Sequence, residues 1–336
     1  MKVLFIGGTG VISSACSQLA VERGIDLYLL NRGQSQCPVP SSARVLLGDI
    51  RDKGSVNRIL DKMTFDVVVD WVAFTPAHVE VDLELFRQRT KQYVFISSAS
   101  AYQKPPASLP ITESTPLSNP FWKYSQDKIA CEQLLMRSFD RDGLPVTIVR
   151  PSHTYDQTSL PIDGGYTVLN RMRQGKKVIV HGDGSSLWTL THHRDFAKGF
   201  VPLLGNSRAI GQAYHITSDE LLTWNQIFET LAAAAGTKPR IVHVPSDTIA
   251  SFDPNWGAGL LGDKAHSVIF DNSKIKSIAP DFAATIPFAD GAKEIISWFD
   301  SNPSHRLVNE QTDQMIDKII AACESIRLCQ TQPTID

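Results

Sequence analysis

A tyrosine and a lysine four residues apart are the side chains of this chain best suited to acid–base chemistry. Tyr124 and Lys128 stand in the run Tyr-Ser-Gln-Asp-Lys. On a helix such residues share one face, so both can point into the same cleft. A free tyrosine loses its proton only near pH ~10, and a nearby cation favours the phenolate. The pair predicts a proton-transferring tyrosine if the chain builds a site around it, and a surface helix pair if it does not.

A glycine-rich turn at the amino end supplies the first part of such a site. Gly7-Gly-Thr-Gly-Val-Ile-Ser13 follows the apolar run Val3–Ile6 and opens a helical pattern. Glycine lets the backbone approach a diphosphate, and the amides at the helix start face the anion. Ser13 stands where a third glycine would pack the helix against the sheet, and it is small enough to replace it. The predicted dinucleotide contacts in this turn are Gly7, Thr9, Gly10, Val11 and Ile12.

The end of the second predicted strand bears on the choice of dinucleotide. An acidic residue there would bind the ribose hydroxyls of NAD, but this chain has Asn31-Arg32-Gly33. Arg32 can pair with a 2′-phosphate, so NADP is favoured and NAD stays open. Four further cofactor contacts are expected only because the residues directly follow the third and fourth predicted strands: Asp49, Ile50, Val72 and Ala73.

Short apolar runs alternate with helical patterns through the first half of the chain, which predicts an α/β fold. We expect a Rossmann-type, doubly wound parallel sheet with a smaller, mostly C-terminal substrate-binding domain. The dinucleotide-binding domain would span residues 1–150 and the substrate-binding region mainly 151–330, with about 185–220 returning to the first domain. Residues 251–265, rich in glycine, are predicted to form a loop.

Four features occur in an order that resembles the extended short-chain dehydrogenase/reductases, and in particular the NAD-dependent epimerase/dehydratase family. They are Gly7-x-x-Gly10, the serine cluster Ser97-Ser98-Ala99-Ser100, Tyr124-x-x-x-Lys128 and Arg150-Pro151. The resemblance extends to Gly182-Asp-Gly-Ser and His193-Arg-Asp195, and so covers roughly residues 1–300.

The resemblance implies a role for each of these residues. Tyr124 would exchange a proton with a substrate hydroxyl or carbonyl, Lys128 would hold the nicotinamide ribose, and Ser98 would hydrogen-bond the same substrate oxygen. Ser97 and Pro151 would border the cofactor. In the same family the helix that carries the tyrosine often pairs with its copy, which predicts a homodimer.

Two positions after Ser98 narrow the reaction. Nucleotide-sugar dehydratases of this family carry acidic residues there, whereas this chain has Ala99 and Ser100. The absence of an acidic residue at these two positions argues against elimination of water. The small, neutral residues found there are closer to those of sugar 4-epimerases. The candidate substrate contacts are Ser100, His153, Trp188, His193 and Arg194.

Three functions stay open. The leading one is an NAD(P)-dependent oxidoreductase acting on a sugar nucleotide or a related hydroxy or carbonyl substrate, most specifically an epimerase with a transient keto intermediate. The alternative is an NADPH-dependent carbonyl reductase. A remote one is a non-catalytic RNA-binding or regulatory member of the fold, because the Asn31-Arg32-Gly33 turn is similar to one in plastid stem-loop RNA-binding relatives of the family. A net charge of −2 argues against a nucleic-acid partner. The nearest basic cluster is Arg171, Arg173, Lys176 and Lys177.

Metal, membrane and disulfide chemistry are not expected. His192 and His193 are adjacent and lack the i, i+4 spacing of helical metal ligands. No apolar run approaches the ~20 residues of a membrane helix, so a cytoplasmic protein with a small-molecule substrate is expected. The five cysteines are scattered, as is typical of reduced thiols.

Overall fold

A seven-stranded parallel sheet forms the centre of the molecule. The computed structural model describes the backbone of residues 1–330 and the side chains of residues 1–325. The strand order is β11-β6-β5-β4-β1-β2-β3. These strands are β1 (Lys2–Ile6), β2 (Asp26–Asn31), β3 (Arg44–Leu47), β4 (Val67–Asp70), β5 (Tyr93–Ile96), β6 (Val146–Pro151) and β11 (Gln212–Ile216). The predicted doubly wound α/β fold is confirmed.

Alternating side chains of the strands form two separate cores, one on each face of the sheet. Along β1, Val3 and Phe5 join one core, and Leu4 and Ile6 join the other. A strand with both faces covered must be apolar throughout, which explains its continuous Val, Ile, Leu and Phe. The first face is covered by α1 (Val11–Glu22) and α6 (His193–Phe200). The second is covered by α2 (Lys53–Leu60), α3 (Pro76–Phe86) and α4 (Lys123–Asp142).

Most of the chain after β6 packs around a third core that contains Trp188 and Trp224. Its strands form three pairs: β7 (His153–Tyr155) with β10 (Leu190–His192), β9 (Leu187–Trp188) with β12 (Leu222–Thr223), and β8 (Lys177–His181) with β13 (Arg240–Val244). Its helices are α5 (Gly165–Arg173), α7 (Trp224–Ala234), α8 (Ser246–Phe252), α9 (Pro254–Gly259), α11 (Phe288–Ser301) and α12 (Glu310–Gln330). By contrast, β11 and α6 return to the central sheet, and α10 (Ser273–Ile278) packs in the core of its first face.

Residues 251–265 are helical, so the predicted loop is wrong. After α8 and α9 the chain continues into a π-helical turn, Leu260–Lys264. Two of the glycines in this segment are required by close packing, since a Cβ on Gly257 would lie 2.2 Å from that of Ala250 and one on Gly262 would lie 2.6 Å from that of Trp122. Tertiary packing here overrides the low helix propensity of glycine.

Among the residues that the structure describes, no helix combines the length and the apolar character that crossing a membrane requires.

Candidate active site

A cavity of about 540 Å³ lies at the carboxyl ends of the central strands, where open parallel sheets bind ligands. We call it the main cavity. It begins at the glycine turn and ends at Tyr124 and Lys128. Nearly all predicted cofactor residues line it: Gly7, Thr9, Gly10, Val11, Ile12, Asn31, Arg32, Asp49, Ile50, Val72, Ser97, Lys128 and Pro151. Ala73 is buried beside it and contributes a backbone carbonyl to the Lys128 ammonium.

The glycine turn brings the backbone close to the second strand. Gly7 and Gly8 have φ of +99° and +100°, and a Cβ on Gly8 would lie 2.7 Å from a methyl carbon of Leu29. The Ser13 hydroxyl accepts a hydrogen bond from the Gly10 amide at 2.9 Å, so the residue in place of the third glycine also caps the turn. The amide-rich start of α1 faces the cavity, as a diphosphate requires.

Two guanidinium groups line the adenosine end of the main cavity. Arg32 is exposed at the end of β2, where Asn31 Oδ1 accepts a hydrogen bond from the Gly33 amide at 3.0 Å. Arg51, which the sequence analysis missed, donates to the Val72 carbonyl at 2.5 Å. Its place directly after Asp49-Ile50, at the end of β3, is the sequence signal that could have identified it.

The Lys128 ammonium is held at the other end of the main cavity by the ends of two strands. Nζ donates to the carbonyls of Ala73 and Ile96, each at 2.7 Å, and the side chain is buried. Burial lowers the pKa of Lys128 to about 8, and the nearby Asp70 carboxylate opposes that fall. An ammonium has three N–H groups, so one is left for a ligand or for Tyr124.

The Tyr124 phenol is half-buried beside a chain of serine hydroxyls. Burial raises the pKa of Tyr124, the Ser98 hydroxyl next to it acts in the opposite direction, and Asp263 raises it further. Ser98 and Ser100 are joined through their hydroxyls at 2.8 Å, and Ser125 donates to the Ser100 hydroxyl at 2.7 Å. Ser98 therefore meets the phenol, whereas Ser100 lies behind it.

His153 and Trp188, two of the substrate candidates, contact each other. Trp188 Nε1 donates to His153 Nδ1 at 3.0 Å. The proton of the neutral imidazole is therefore on Nε2. Burial lowers the pKa of His153 to about 4, so the ring is an uncharged donor at neutral pH.

His193 contacts the helix start that follows the glycine turn, whereas Arg194 contacts α11. His193 Nδ1 donates to the Val11 carbonyl at 3.1 Å, at the start of α1. Arg194 forms an ion pair with Glu294.

Two ion pairs near Tyr124 and His153 had no signal in the sequence, because their members lie far apart along the chain. Lys104 pairs with Asp263 and Lys264 pairs with Asp163, both at 2.7 Å. Asn119 holds this region against the serines, since Nδ2 donates to the carbonyls of Ser100 and Gly262.

The basic cluster near Gly175 is neutralised by ion pairs with α11 and α12. The pairs are Arg171 with Asp313 and Asp317, Arg173 with Asp300, Lys176 with Asp313, and Lys177 with Glu324. Among the described residues there is also no group of three or more histidines, cysteines or carboxylates that could hold a metal ion.

Comparisons with known proteins agree with this geometry. A family model described as the NAD dependent epimerase/dehydratase family matches residues 3–85 and 77–217. The chloroplast stem-loop binding protein of 41 kDa b from Arabidopsis thaliana is 29% identical over 257 residues, which are 72% of this chain and 65% of that protein. The chain thus spans just under two thirds of that relative's length.

Two further proteins are similar over most of the chain. The 2′-dehydrokanamycin reductase of Streptomyces kanamyceticus is 24% identical over 293 residues, 84% of this chain and 80% of that protein. The structure of UDP-glucose 4-epimerase from Bifidobacterium longum in complex with NAD+ and UDP has a TM-score of 0.74 at 20% identity. That match covers 91% of this chain and 100% of that chain. From the matched family model and the fold, we conclude that the chain belongs to the NAD-dependent epimerase/dehydratase family.

Proposed function

We propose that the protein is an NAD(P)-dependent oxidoreductase that interconverts a hydroxyl and a carbonyl group on a sugar or sugar nucleotide. One observation carries the proposal: Tyr124 and Lys128 lie at the end of the same cavity that begins at the glycine turn. A nicotinamide dinucleotide bound there would accept or donate hydride.

The residues of the main cavity fit such a dinucleotide. The start of α1 would hold the diphosphate, and the free N–H of Lys128 would hold the nicotinamide ribose. No acidic residue follows β2, and Arg32 and Arg51 are both available to a 2′-phosphate. These two guanidinium groups favour NADP over NAD.

The catalytic roles follow from the contacts of Tyr124. Its phenol would give a proton to a substrate carbonyl, or take one from a substrate hydroxyl. Because burial raises the pKa of Tyr124, the phenolate needs stabilisation from the Lys128 ammonium and the Ser98 hydroxyl. With substrate bound, the single O–H of Ser98 would instead donate to the substrate oxygen and fix its position, while Ser100 would orient Ser98.

Epimerisation through a transient keto form is the leading reaction, and its supports are the family and the neutral Ala99 and Ser100. Net reduction of a carbonyl is the second candidate. The diphosphate of a sugar nucleotide would need a cation, but Lys104 and Lys264, the lysines near Tyr124 and His153, are both already paired with carboxylates. To bind either lysine, the diphosphate would have to break one of these ion pairs, whereas an uncharged sugar ketone would not. The two ion pairs therefore favour reduction of a ketone. The similarity to a 2′-dehydrokanamycin reductase adds to this second candidate.

Isotope transfer separates the two reactions. The purified protein would be titrated with the oxidised and reduced forms of NAD and NADP. It would then be incubated with oxidised dinucleotide and a panel of sugar nucleotides, and separately with deuterated reduced dinucleotide and a panel of sugar ketones. An epimerase inverts a sugar nucleotide in the presence of oxidised dinucleotide without net formation of reduced dinucleotide, whereas a reductase consumes reduced dinucleotide and transfers one deuterium to each product molecule. Failure to bind either dinucleotide would refute the proposal.

We also infer a homodimer and a cytoplasmic location. Leu135 on α4 is buried in the protomer core, but Ile129 and Leu134 on the same helix are only half-buried. They could therefore contact a second copy. Sedimentation at several concentrations tests the dimer, and a monomer at all of them would refute it.

RNA binding is the remote candidate function, and the similarity to the stem-loop binding protein of Arabidopsis thaliana is its support. It has little support here, because the basic cluster near Gly175 is occupied by the ion pairs described above.

A further inference from the structure

A buried aspartate that acts on the Lys128 ammonium has a second buried aspartate beside it, and neither had a role in the chemistry described above. Asp70 ends β4, Asp82 lies on α3, and both are fully buried. After burial, the Asp70 carboxyl is the group that most raises the pKa of Asp82, so the two carboxyl groups are close neighbours. Two neighbouring carboxylates cannot both stay charged in a buried site.

The remaining contacts show where the negative charge resides. Asp70 Oδ1 accepts hydrogen bonds from the amides of Val72 and Ala73, at 2.5 and 2.7 Å. Asp82 Oδ2 accepts one hydrogen bond, from the Tyr93 phenol at 2.6 Å. The remaining oxygens, Asp70 Oδ2 and Asp82 Oδ1, are buried and have no hydrogen-bond partner. A proton between them satisfies both, and the two amide donors favour the anion on Asp70.

Burial, together with the Asp70 charge, raises the pKa of Asp82 well above its usual value. The burial of Lys128 lowers its own pKa. Among the charges that oppose this lowering, that of Asp70 has the largest effect. Asp70 also orients the backbone at Ala73, whose carbonyl accepts from Lys128 Nζ.

We propose that Asp70 and Asp82 share one proton and together form a positioning pair that keeps the Lys128 ammonium charged and aimed at Tyr124. Asp82 is the protonated member and donates a hydrogen bond to Asp70, and Asp70 carries the negative charge. The pair touches neither substrate nor cofactor. Its effect on the reaction rests on the function proposed above, whereas its shared proton does not.

Other ionisable groups surround the pair and Lys128, and none of them replaces Asp70. They are Arg51 after β3, His78 on α3, Tyr93 on β5, and Cys131 and Glu132 on α4. Of these, Glu132 is the only carboxylate, and it is engaged by the Arg150 guanidinium.

Two isosteric variants separate the roles of the two residues. In Asp82→Asn, the new amide donates to Asp70 Oδ2 and still accepts from Tyr93, so the charge stays on Asp70. In Asp70→Asn, the amide donates to Asp82 instead, and the charge moves to the carboxyl that does not act on Lys128. The alkaline limb of the plot of kcat against pH, where Lys128 loses its charge, should shift to lower pH by about one unit in Asp70→Asn. It should stay in place in Asp82→Asn. An unshifted limb in Asp70→Asn would overturn the positioning role.

Infrared spectroscopy tests the shared proton without any turnover. At neutral pH the wild-type protein should show the carbonyl stretch of one buried protonated carboxylic acid, and Asp82→Asn should lack it. If the wild type shows no such band, the proton pair is wrong even if the protein proves to be a dehydrogenase. If the band is present but no dinucleotide binds, the pair stands and the proposed function fails.

Thermal unfolding gives a further check on Asp82. Its pKa is raised in the folded state, so the wild type takes up a proton on folding wherever the unfolded aspartate is ionised. This proton uptake lowers the free energy of unfolding. The loss is absent below the unfolded aspartate pKa of ~3.9 and grows as the pH rises above it. Asp82→Asn should therefore raise the melting temperature at pH 8 by more than it does at pH 5. An equal change at both pH values would contradict the assignment.

Discussion

The ammonium of Lys128 lies 5.8 Å from the centre of the Tyr124 ring, one helical turn further along α4. The same ammonium is anchored to the carbonyls of Ala73 and Ile96, which follow β4 and end β5. A four-residue spacing on one helix thus becomes a candidate catalytic pair because two parallel strands end beside it.

Loss of the Arg32 guanidinium should weaken NADP binding more than NAD binding. Arg32 is exposed, lines the main cavity and stands where an acid would mark an NAD site. Since a charge-assisted contact contributes about 1.5–3 kcal/mol, Arg32→Ala should lower NADP affinity by about 10- to 100-fold. Affinity for NAD should change little. Calorimetric titration measures both.

Arg23→Ala is the matched control for that change, because it removes an exposed arginine at the far end of α1, away from the main cavity. If Arg32→Ala and Arg23→Ala lower NADP affinity equally, Arg32 does not contact a 2′-phosphate.

The serine cluster should show graded effects on kcat. Ser98 meets the phenol and Ser100 lies behind it. Ser98→Ala should lower kcat by about 10- to 100-fold through loss of a hydrogen bond to a charged oxygen. Ser100→Ala should cost less, because Ser98 keeps its hydroxyl.

The neighbouring Ser97 is the control for the cluster. Its buried hydroxyl has no hydrogen-bond partner and lines the main cavity. Ser97→Ala should change dinucleotide affinity more than kcat. A larger loss of kcat in Ser100→Ala than in Ser98→Ala would contradict these assignments.

The strand pattern allowed most of the sheet to be predicted, because both faces of β1, β4 and β5 are covered and only apolar residues fit there. The glycine turn and the Tyr124–Lys128 pair were predictable for a similar reason, since their spacing is local. Asp70 carried a signal that went unused: a carboxylate ends a strand whose other residues are Val67, Val68 and Val69.

Contacts between distant segments could not be predicted in this way. The partners of Lys104 and Asn119 come from the π-helical turn Leu260–Lys264, more than a hundred residues away. That turn was itself predicted to be part of a loop. Glycine has low helix propensity, and no local pattern shows that Gly262 packs against Trp122.

Stability should fall between pH 6.5 and 4. Burial lowers the pKa of His153, His181 and His192 to about 4 each, while an unfolded histidine has a pKa of ~6.5. Between these values the unfolded histidines bind protons that the folded ones do not, so their contribution to the free energy of unfolding rises with pH and levels off above about 6.5. Urea denaturation at several pH values measures it.

His181→Gln tests that explanation at one site. The His181 side chain donates from Nε2 to the Lys264 carbonyl at 2.9 Å, and a glutamine amide can donate there without titrating. The variant should lose less stability than the wild type between pH 6.5 and 4. An equal loss would assign the pH dependence to other groups.

Tyr124→Phe is the most direct test of the proposed proton transfer, because it removes only the phenolic hydroxyl. With the substrate identified by the isotope experiment, kcat and the dissociation constant of the dinucleotide would be measured for the wild type and the variant. We expect kcat to fall by about 10²- to 10⁴-fold while dinucleotide affinity stays within a few-fold of the wild type. Undiminished turnover in the variant would contradict the assignment of Tyr124 as the proton-transferring group.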